Sequence, residues 1–149
     1  GVSSAIAAPM LAGIPVTHRG VADGFVTVTA HKRTKDEPLG IPRFRSATTL
    51  VLLMPLSTLG RWQPQLLALG YPSDLPLAFV SDGCSDRQTV VVSTVGQAHV
   101  DCEQPGVVSP CMVVVGEVVR LRERLEPGLR RDSQARNQKH DHALVPLAL

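Results

Sequence analysis

A short segment near the start of the chain, GIPVTHRG at residues 13–20, carries three polar side chains in succession. Thr17, His18 and Arg19 supply a hydroxyl, an imidazole and a guanidinium between flanking glycines. Glycine and proline favour turns, so the segment is predicted to be a constrained loop. A guanidinium pairs with a carboxylate through two parallel hydrogen bonds. The loop is therefore interpreted as a set of donors for an acidic ligand; the alternative is that Arg19 forms a structural ion pair.

Three apolar segments of strand length end in residues that could border a ligand. In chain order they end at Met54-Pro55, Asp82-Gly83-Cys84 and Gly116-Glu117. In open α/β sheets, ligands lie outside the carboxyl ends of the strands, so these residues predict a ligand cleft. Each also has a structural interpretation, because methionine fills gaps in a core and glycine serves turns.

A metal site is not predicted. The cysteines at 84, 102 and 111 lack metal-like spacing and are interpreted as reduced thiols of an intracellular protein, with a cytoplasmic location expected. His140-Asp141-His142 lacks a third and a fourth ligand, and it lies in a polar segment, residues 126–149, that is predicted to be a disordered tail.

The composition describes a globular protein rather than a nucleic-acid-binding or membrane protein. The chain has 149 residues, 44% of them hydrophobic, and a net charge of only +2. The basic cluster His31-Lys32-Arg33 is interpreted as solvated surface. No apolar run reaches the ~18–20 residues of a membrane span, and no charged stretch precedes the first apolar segment as in a signal peptide.

Hydrophobic periodicity places these residues on alternating elements. SSAIAAPMLAG predicts a short helix with serine at its start and Gly13 at its end. The remaining pattern predicts, in order, strands at GFVTVTAHK and ATTLVLLM, a helix at STLGRWQPQLLALG, strands at LPLAFVSDG and RQTVVVST, a helix within 94–105, and a strand at CMVVVGEVV. This order predicts an α/β domain with a mixed sheet.

Several of these segments resemble the tetrapyrrole methylase family, over about residues 1–125. The resemblance is carried by GVSSA (1–5), GIPVTHR (13–19), TTLVLLM (48–54), LPLAFVSDG with RQTVVVST (75–94) and CMVVVGEVV (111–119). GIPVTHRG is most similar to the branch that methylates uroporphyrinogen III. The family implies two α/β domains with S-adenosylmethionine in the cleft between them, and a homodimer. Residues 1–20 would then end the N-terminal domain, and residues 21–125 would form the C-terminal domain.

The resemblance also implies an activity, a cofactor and a set of site residues. The activity is S-adenosylmethionine-dependent C-methylation of uroporphyrinogen III to precorrin-2, in sirohaem or cobalamin biosynthesis. The cofactor-binding residues implied are Ser3, Ser4, Met54 and Gly83, and the substrate-binding residues implied are Thr17, His18 and Arg19. Uroporphyrinogen carries eight carboxylates, and the side chains of residues 17–19 are hydrogen-bond donors of the kind that bind carboxylates.

Part of the family pattern has no counterpart here. The family's N-terminal Gly-Pro-Gly loop, its Gly-rich loop and its proposed Asp and Lys proton carriers do not match any residue, so no catalytic residue is predicted and the chain alone is expected to be inactive. The sequence also has Gly83-Cys84 where family members often have Gly-Thr, and Pro55 where they have Gly. Two alternatives therefore stay open: a non-catalytic module for tetrapyrrole binding or dimerisation, and a methyltransferase for a related precorrin.

Overall fold

The computed structural model describes residues 1–34 and 37–125. The helices are α1 Ser4–Leu11, α2 Leu59–Ala68 and α3 Ala98–Asp101, with 3-10 helices at Leu56–Thr58 and Glu117–Leu121; the strands are β1 Gly24–Thr29, β2 Thr48–Leu53, β3 Pro76–Ser81, β4 Thr89–Thr94 and β5 Cys111–Val115. The predicted tail, including His140 and His142, lies outside the described residues.

The strands form one mixed sheet in the order β1-β2-β5-β3-β4. β1 and β2 are parallel, whereas β5 runs antiparallel to both of its neighbours, β2 and β3. β1, β2 and β3 therefore finish at the same end of the sheet, which is called the carboxyl end below; the opposite end is called the amino end. The prediction of an α/β fold with a mixed sheet is confirmed.

One face of the sheet packs against α2. Trp62 and Leu66 of α2 are fully buried against apolar side chains of the central strands β2, β5 and β3. Trp62 Nε1 also donates a hydrogen bond of 2.9 Å to the carbonyl oxygen of Pro55, just after β2. The helical spacing of the apolar residues in α2 thus corresponds to a buried stripe. The hydrogen bond from Trp62 anchors the segment that follows β2.

The other face packs against α1, a helix built from small and apolar residues. Ser3 caps its start, since Ser3 Oγ accepts a hydrogen bond from the Ala5 N–H at 3.3 Å. Ala5 and Ala8 are buried against this face of the sheet. Ile6 and Met10 point outward and are 40% and 57% exposed. α1 is therefore apolar on both sides, a pattern typical of a helix that is covered all round.

Two predicted elements are shorter than expected. The helix expected within 94–105 is limited to α3, a single turn, because few of its residues are apolar enough to pack. The final strand ends at Val115, and a 3-10 helix follows it from Glu117. Because β5 is antiparallel to β2 and β3, Gly116 and Glu117 lie at the amino end of the sheet, away from the other two strand ends singled out by the sequence.

Candidate functional site

A cavity of about 300 Å³ opens at the carboxyl end of the sheet, between α1 and the ends of β2 and β3. It is lined by Ser4, Ala8, Leu53, Met54, Val80, Gly83, Pro110, Cys111 and Met112. Three of the four predicted cofactor-binding residues, Ser4, Met54 and Gly83, therefore border one cavity. The fourth, Ser3, precedes the cavity wall and uses its hydroxyl to cap α1.

Met54 stands at the mouth of this cavity rather than in the core. Its side chain is 55% exposed, and its backbone φ is 53°, in the left-handed region that non-glycine residues rarely adopt. Pro55 follows and cannot continue the ladder of β2. The alternative interpretation of Met54 as a filler of a core gap does not fit this exposure, and the unusual backbone is of the kind that clusters at ligand sites.

Gly83 is held close to α1. A Cβ built on Gly83 would lie 2.5 Å from the Cβ of Ala8, which is closer than side-chain carbons approach one another. The residues on either side, Asp82 and Cys84, have φ values of 48° and 67°, so the chain turns sharply after β3. The turn is tied by an ion pair of 3.4 Å between Asp82 Oδ2 and Arg87 Nε. Helix packing therefore favours glycine at position 83, independently of any ligand.

The start of β5 supplies a wall that the sequence did not predict. Pro110, Cys111 and Met112 line the cavity because β5 is inserted between β2 and β3 and begins at the carboxyl end. Burial raises the pKa of the Cys111 thiol, and a side-chain hydrogen bond with Ser81 acts in the opposite direction. No local pattern identifies these residues, since their position depends on the order of the strands.

A second, smaller cavity of about 250 Å³ adjoins the first. The two cavities share Met54, Pro110 and Cys111, and the second continues past Ser57 and Ser109. Nδ1 of His31, just after β1, lies 3.5 Å from Ser57 Oγ. The ends of β1 and β2 and the start of β5 thus meet around one opening.

The predicted substrate loop lies at the other end of the sheet. His18 and Ala22 exchange two backbone hydrogen bonds of 2.9 Å, which close a tight turn with Gly20 at φ 79°. Gly20 borders a separate depression at the amino end, together with Glu117. Thr17, His18 and Arg19 are exposed there, and Arg19 forms no salt bridge within the described part of the chain. The structure therefore does not bring this loop together with Met54 and Gly83.

Within residues 1–34 and 37–125, no three His, Cys, Asp or Glu side chains are grouped so as to hold a metal ion. In the same ranges, no helix has the length and apolar character needed to cross a membrane.

The sequence matches the model of the Tetrapyrrole (Corrin/Porphyrin) Methylases over residues 1–99. The chain belongs to the tetrapyrrole methylase family. It is 36% identical to a siroheme synthase of Methylobacillus flagellatus, over 84% of this chain and 27% of that protein. It is also 36% identical to a uroporphyrinogen-III C-methyltransferase of Pseudomonas aeruginosa, over 80% of this chain and 49% of that protein.

A solved tetrapyrrole methylase has the same fold over the described residues. The uroporphyrin-III C-methyltransferase of Thermus thermophilus, complexed with S-adenosyl homocysteine, superposes with a TM-score of 0.64 at 32% identity, covering 81% of this chain and 50% of that one. The present chain thus spans about a quarter to a half of the length of the methylases it matches.

The main cavity of this methylase chain is largely apolar. Its walls are mostly aliphatic and thioether side chains, and Ser4 adds one hydroxyl. Its volume of about 300 Å³ is at the lower limit for small-molecule sites, which run to roughly 1,000 Å³.

Proposed function

We propose that this chain is part of a methyltransferase that uses S-adenosylmethionine to C-methylate uroporphyrinogen III to precorrin-2, in sirohaem or cobalamin biosynthesis. The observation that carries the proposal is the meeting of Ser4, Met54 and Gly83 around one cavity at the carboxyl end of the sheet. The similarity to uroporphyrinogen-III C-methyltransferases supports the choice of substrate.

In this proposal the adenosine part of the cofactor occupies the main cavity. Leu53, Met54 and Met112 provide apolar walls that exclude water from the purine. Gly83 borders the cavity and offers backbone polar groups to the purine, and the hydroxyl of Ser4 is available to the ribose or methionine part. When bound, S-adenosylmethionine supplies a methyl group on a sulfonium.

The chain's own residues position the reactants rather than move protons. A pyrrole carbon of the substrate is already a nucleophile, so the main requirements are alignment and exclusion of water. Rigid strands β2, β3 and β5 hold the cavity walls, and α1 closes one side through Ala8. Residues that accept the proton released by the substrate are expected in the part of the enzyme that the matched methylases have in addition.

The exposed outer side of α1 supports the proposal that a further part of the enzyme packs beside this chain. Ile6, Met10 and Leu11 are 40%, 57% and 51% exposed on one short helix. Exposed apolar surface on a helix is usually covered by another part of the protein. We propose that α1 lies at the boundary between the two methylase domains, which would put the cavity beneath it in the cleft between them.

We also propose that Thr17, His18 and Arg19 bind the substrate. This requires a contact with a second subunit, because the loop is far from the cavity of its own subunit. Their loop lies at the amino end, and the six-residue strands separate it from the cavity by about 20 Å at ~3.3 Å per residue. In a homodimer, which we also propose, the loop of one subunit approaches the substrate of the other. Arg19 would then pair with a substrate carboxylate at the rim of the site.

Cysteine alkylation tests the cofactor site with an internal control. Cys111 borders both cavities and packs against the apolar cluster on the α2 face, whereas Cys102 lies just after α3 and borders neither cavity. Burial raises the pKa of both thiols, and the charge of Glu103 raises that of Cys102 further. Only the thiolate reacts, so both alkylation rates are expected to rise with pH and to be slow near neutrality.

In a full-length methylase that carries this sequence, we expect saturating S-adenosylhomocysteine to slow iodoacetamide labelling of Cys111 several-fold and to leave Cys102 unchanged, as measured by mass spectrometry of the separated peptides. If the two rates fall together, the ligand stabilises the whole fold without occupying the cavity. If neither rate changes, the cofactor does not bind at this position and the proposal fails.

A further inference from the structure

The proposed methyl transfer requires the tetrapyrrole and the cofactor to meet at one end of the sheet. Reacting atoms must come within about 3–3.5 Å of each other, so the macrocycle has to lie near Met54 and Gly83. Its carboxylates then need cationic partners at the carboxyl end, whereas Arg19 lies at the amino end.

Three basic residues follow β1 at the carboxyl end of the sheet. It runs parallel to β2, and beyond it the Ala30 N–H donates a hydrogen bond of 2.8 Å to the Leu53 carbonyl, so the two strands end side by side. His31, Lys32 and Arg33 follow directly. The contact of 3.5 Å between His31 and Ser57 joins this segment to the rim of the second cavity.

The other cations described at this end already have partners. Arg87 pairs with Asp82 at 3.4 Å, and Arg61 donates to the Glu37 carbonyl at 3.1 Å. By contrast, Lys32 meets the Glu37 carboxylate only at 3.9 Å, a loose pair that a substrate carboxylate can replace. Arg33 is exposed and has no ion pair with any residue that the structure describes.

We propose that His31, Lys32 and Arg33 bind carboxylate groups of the tetrapyrrole substrate, beside the cavity that continues past Met54 to Ser57. This inference rests on the proposed function and adds a substrate-binding segment to it. The sequence alone favoured solvated surface for this cluster, because nothing local shows that β1 and β2 end together. The same charges could instead bind the carboxylate of the cofactor's methionine part, and the experiment separates the two sources.

Two double variants with equal loss of charge provide the test. Lys32→Gln/Arg33→Gln removes two cations at the carboxyl end. Arg43→Gln/Arg45→Gln removes two exposed cations from the segment before β2, at the amino end. Affinities of a full-length methylase that carries this sequence are measured for uroporphyrin III, the oxidised macrocycle with the same carboxylates, and for S-adenosylhomocysteine. Ionic strength of about 0.15 M limits long-range charge effects to within ~8 Å.

The expected result is a loss of about tenfold or more in uroporphyrin affinity for Lys32→Gln/Arg33→Gln, as two charge-assisted hydrogen bonds imply. The control variant should change by less than about twofold, and S-adenosylhomocysteine affinity should stay constant in both. Equal losses of uroporphyrin affinity in the two variants overturn the inference, and so does a parallel loss of S-adenosylhomocysteine affinity in the first. If the unsubstituted full-length methylase binds neither ligand, it is the proposed function that fails.

Discussion

Replacing Gly83 with alanine tests the close approach between α1 and the turn after β3. The added Cβ would stand 2.5 Å from the Cβ of Ala8 and 3.6 Å from Cγ1 of Val80. Non-bonded carbon atoms are most stable at about 3.5–4.0 Å, so α1 or the turn must move by roughly 1 Å. Ala8 is only 2% exposed, and its neighbours leave little room for this movement.

The expected cost follows from two opposing effects. Overpacking of a close-packed interior costs about 1–3 kcal/mol of unfolding free energy. Alanine also reduces the conformational entropy of the unfolded chain, which stabilises the folded state by roughly 0.4–1 kcal/mol. This gain applies here because Gly83 does not have a positive φ, so alanine can adopt its backbone conformation. We expect a net destabilisation of about 1–2 kcal/mol, or a fall in Tm of roughly 2–8 °C at ~2–4 °C per kcal/mol.

The assay is urea unfolding of four forms of the chain: unsubstituted, Gly83→Ala, Ala8→Gly and the double variant. Ala8→Gly removes the opposing methyl group and alone costs about 1 kcal/mol as a glycine within a helix. In the double variant the clash is absent, so the two losses should not add, and a coupling of about 1–2 kcal/mol is expected. Additive losses would refute the contact between Ala8 and residue 83.

Gly60 provides a matched glycine-to-alanine control. It lies in α2, and a Cβ built on it meets no atom within 4 Å. Gly60→Ala should therefore stabilise the chain by up to about 1 kcal/mol. A destabilisation of similar size at both positions would show that the effect of Gly83→Ala has nothing to do with α1.

Three further predictions concern the substrate loop, the activity and the core. In a full-length methylase that carries this sequence, Arg19→Ala should weaken uroporphyrinogen binding more than S-adenosylmethionine binding; equal losses in titrations of both ligands would favour a structural ion pair. The purified 149-residue chain should yield no precorrin-2 from uroporphyrinogen III and S-adenosylmethionine, and detection of the product by absorbance would contradict this. Trp62→Phe removes the buried hydrogen bond to Pro55 and should cost about 1 kcal/mol, measured by circular dichroism; an unchanged midpoint would show that the bond contributes nothing.

The strands and helices were predictable because their signals are local. The alternation in β1, the continuous apolar runs of β2 and β3, and the helical spacing of Trp62 and Leu66 each correspond to an element of the structure. Pro9 lies inside α1 without ending it, because α1 is held by Ala5 and Ala8 against the sheet. Packing here outweighs the low helix propensity of proline.

The site was predictable only in part, because its assembly depends on the direction of β5. Met54 and Gly83 border one cavity, as expected for strands that end together. Gly116 was grouped with them from the sequence, but the antiparallel β5 carries it to the amino end and brings Cys111 to the cavity instead. Strand order and direction are set by packing between distant segments, and no run of neighbouring residues encodes them.

The chain's three methionines occupy three different surroundings around the cavity. Met54 is at its mouth and 55% exposed, Met112 is in its wall and 6% exposed, and Met10 is 57% exposed on the outer side of α1. A methyl group rotates on the picosecond-to-nanosecond timescale and so gives a sharp NMR signal. A sample labelled with carbon-13 at the methionine methyl groups would therefore show two resonances that report on cavity occupancy, and a third that reports on whatever covers α1.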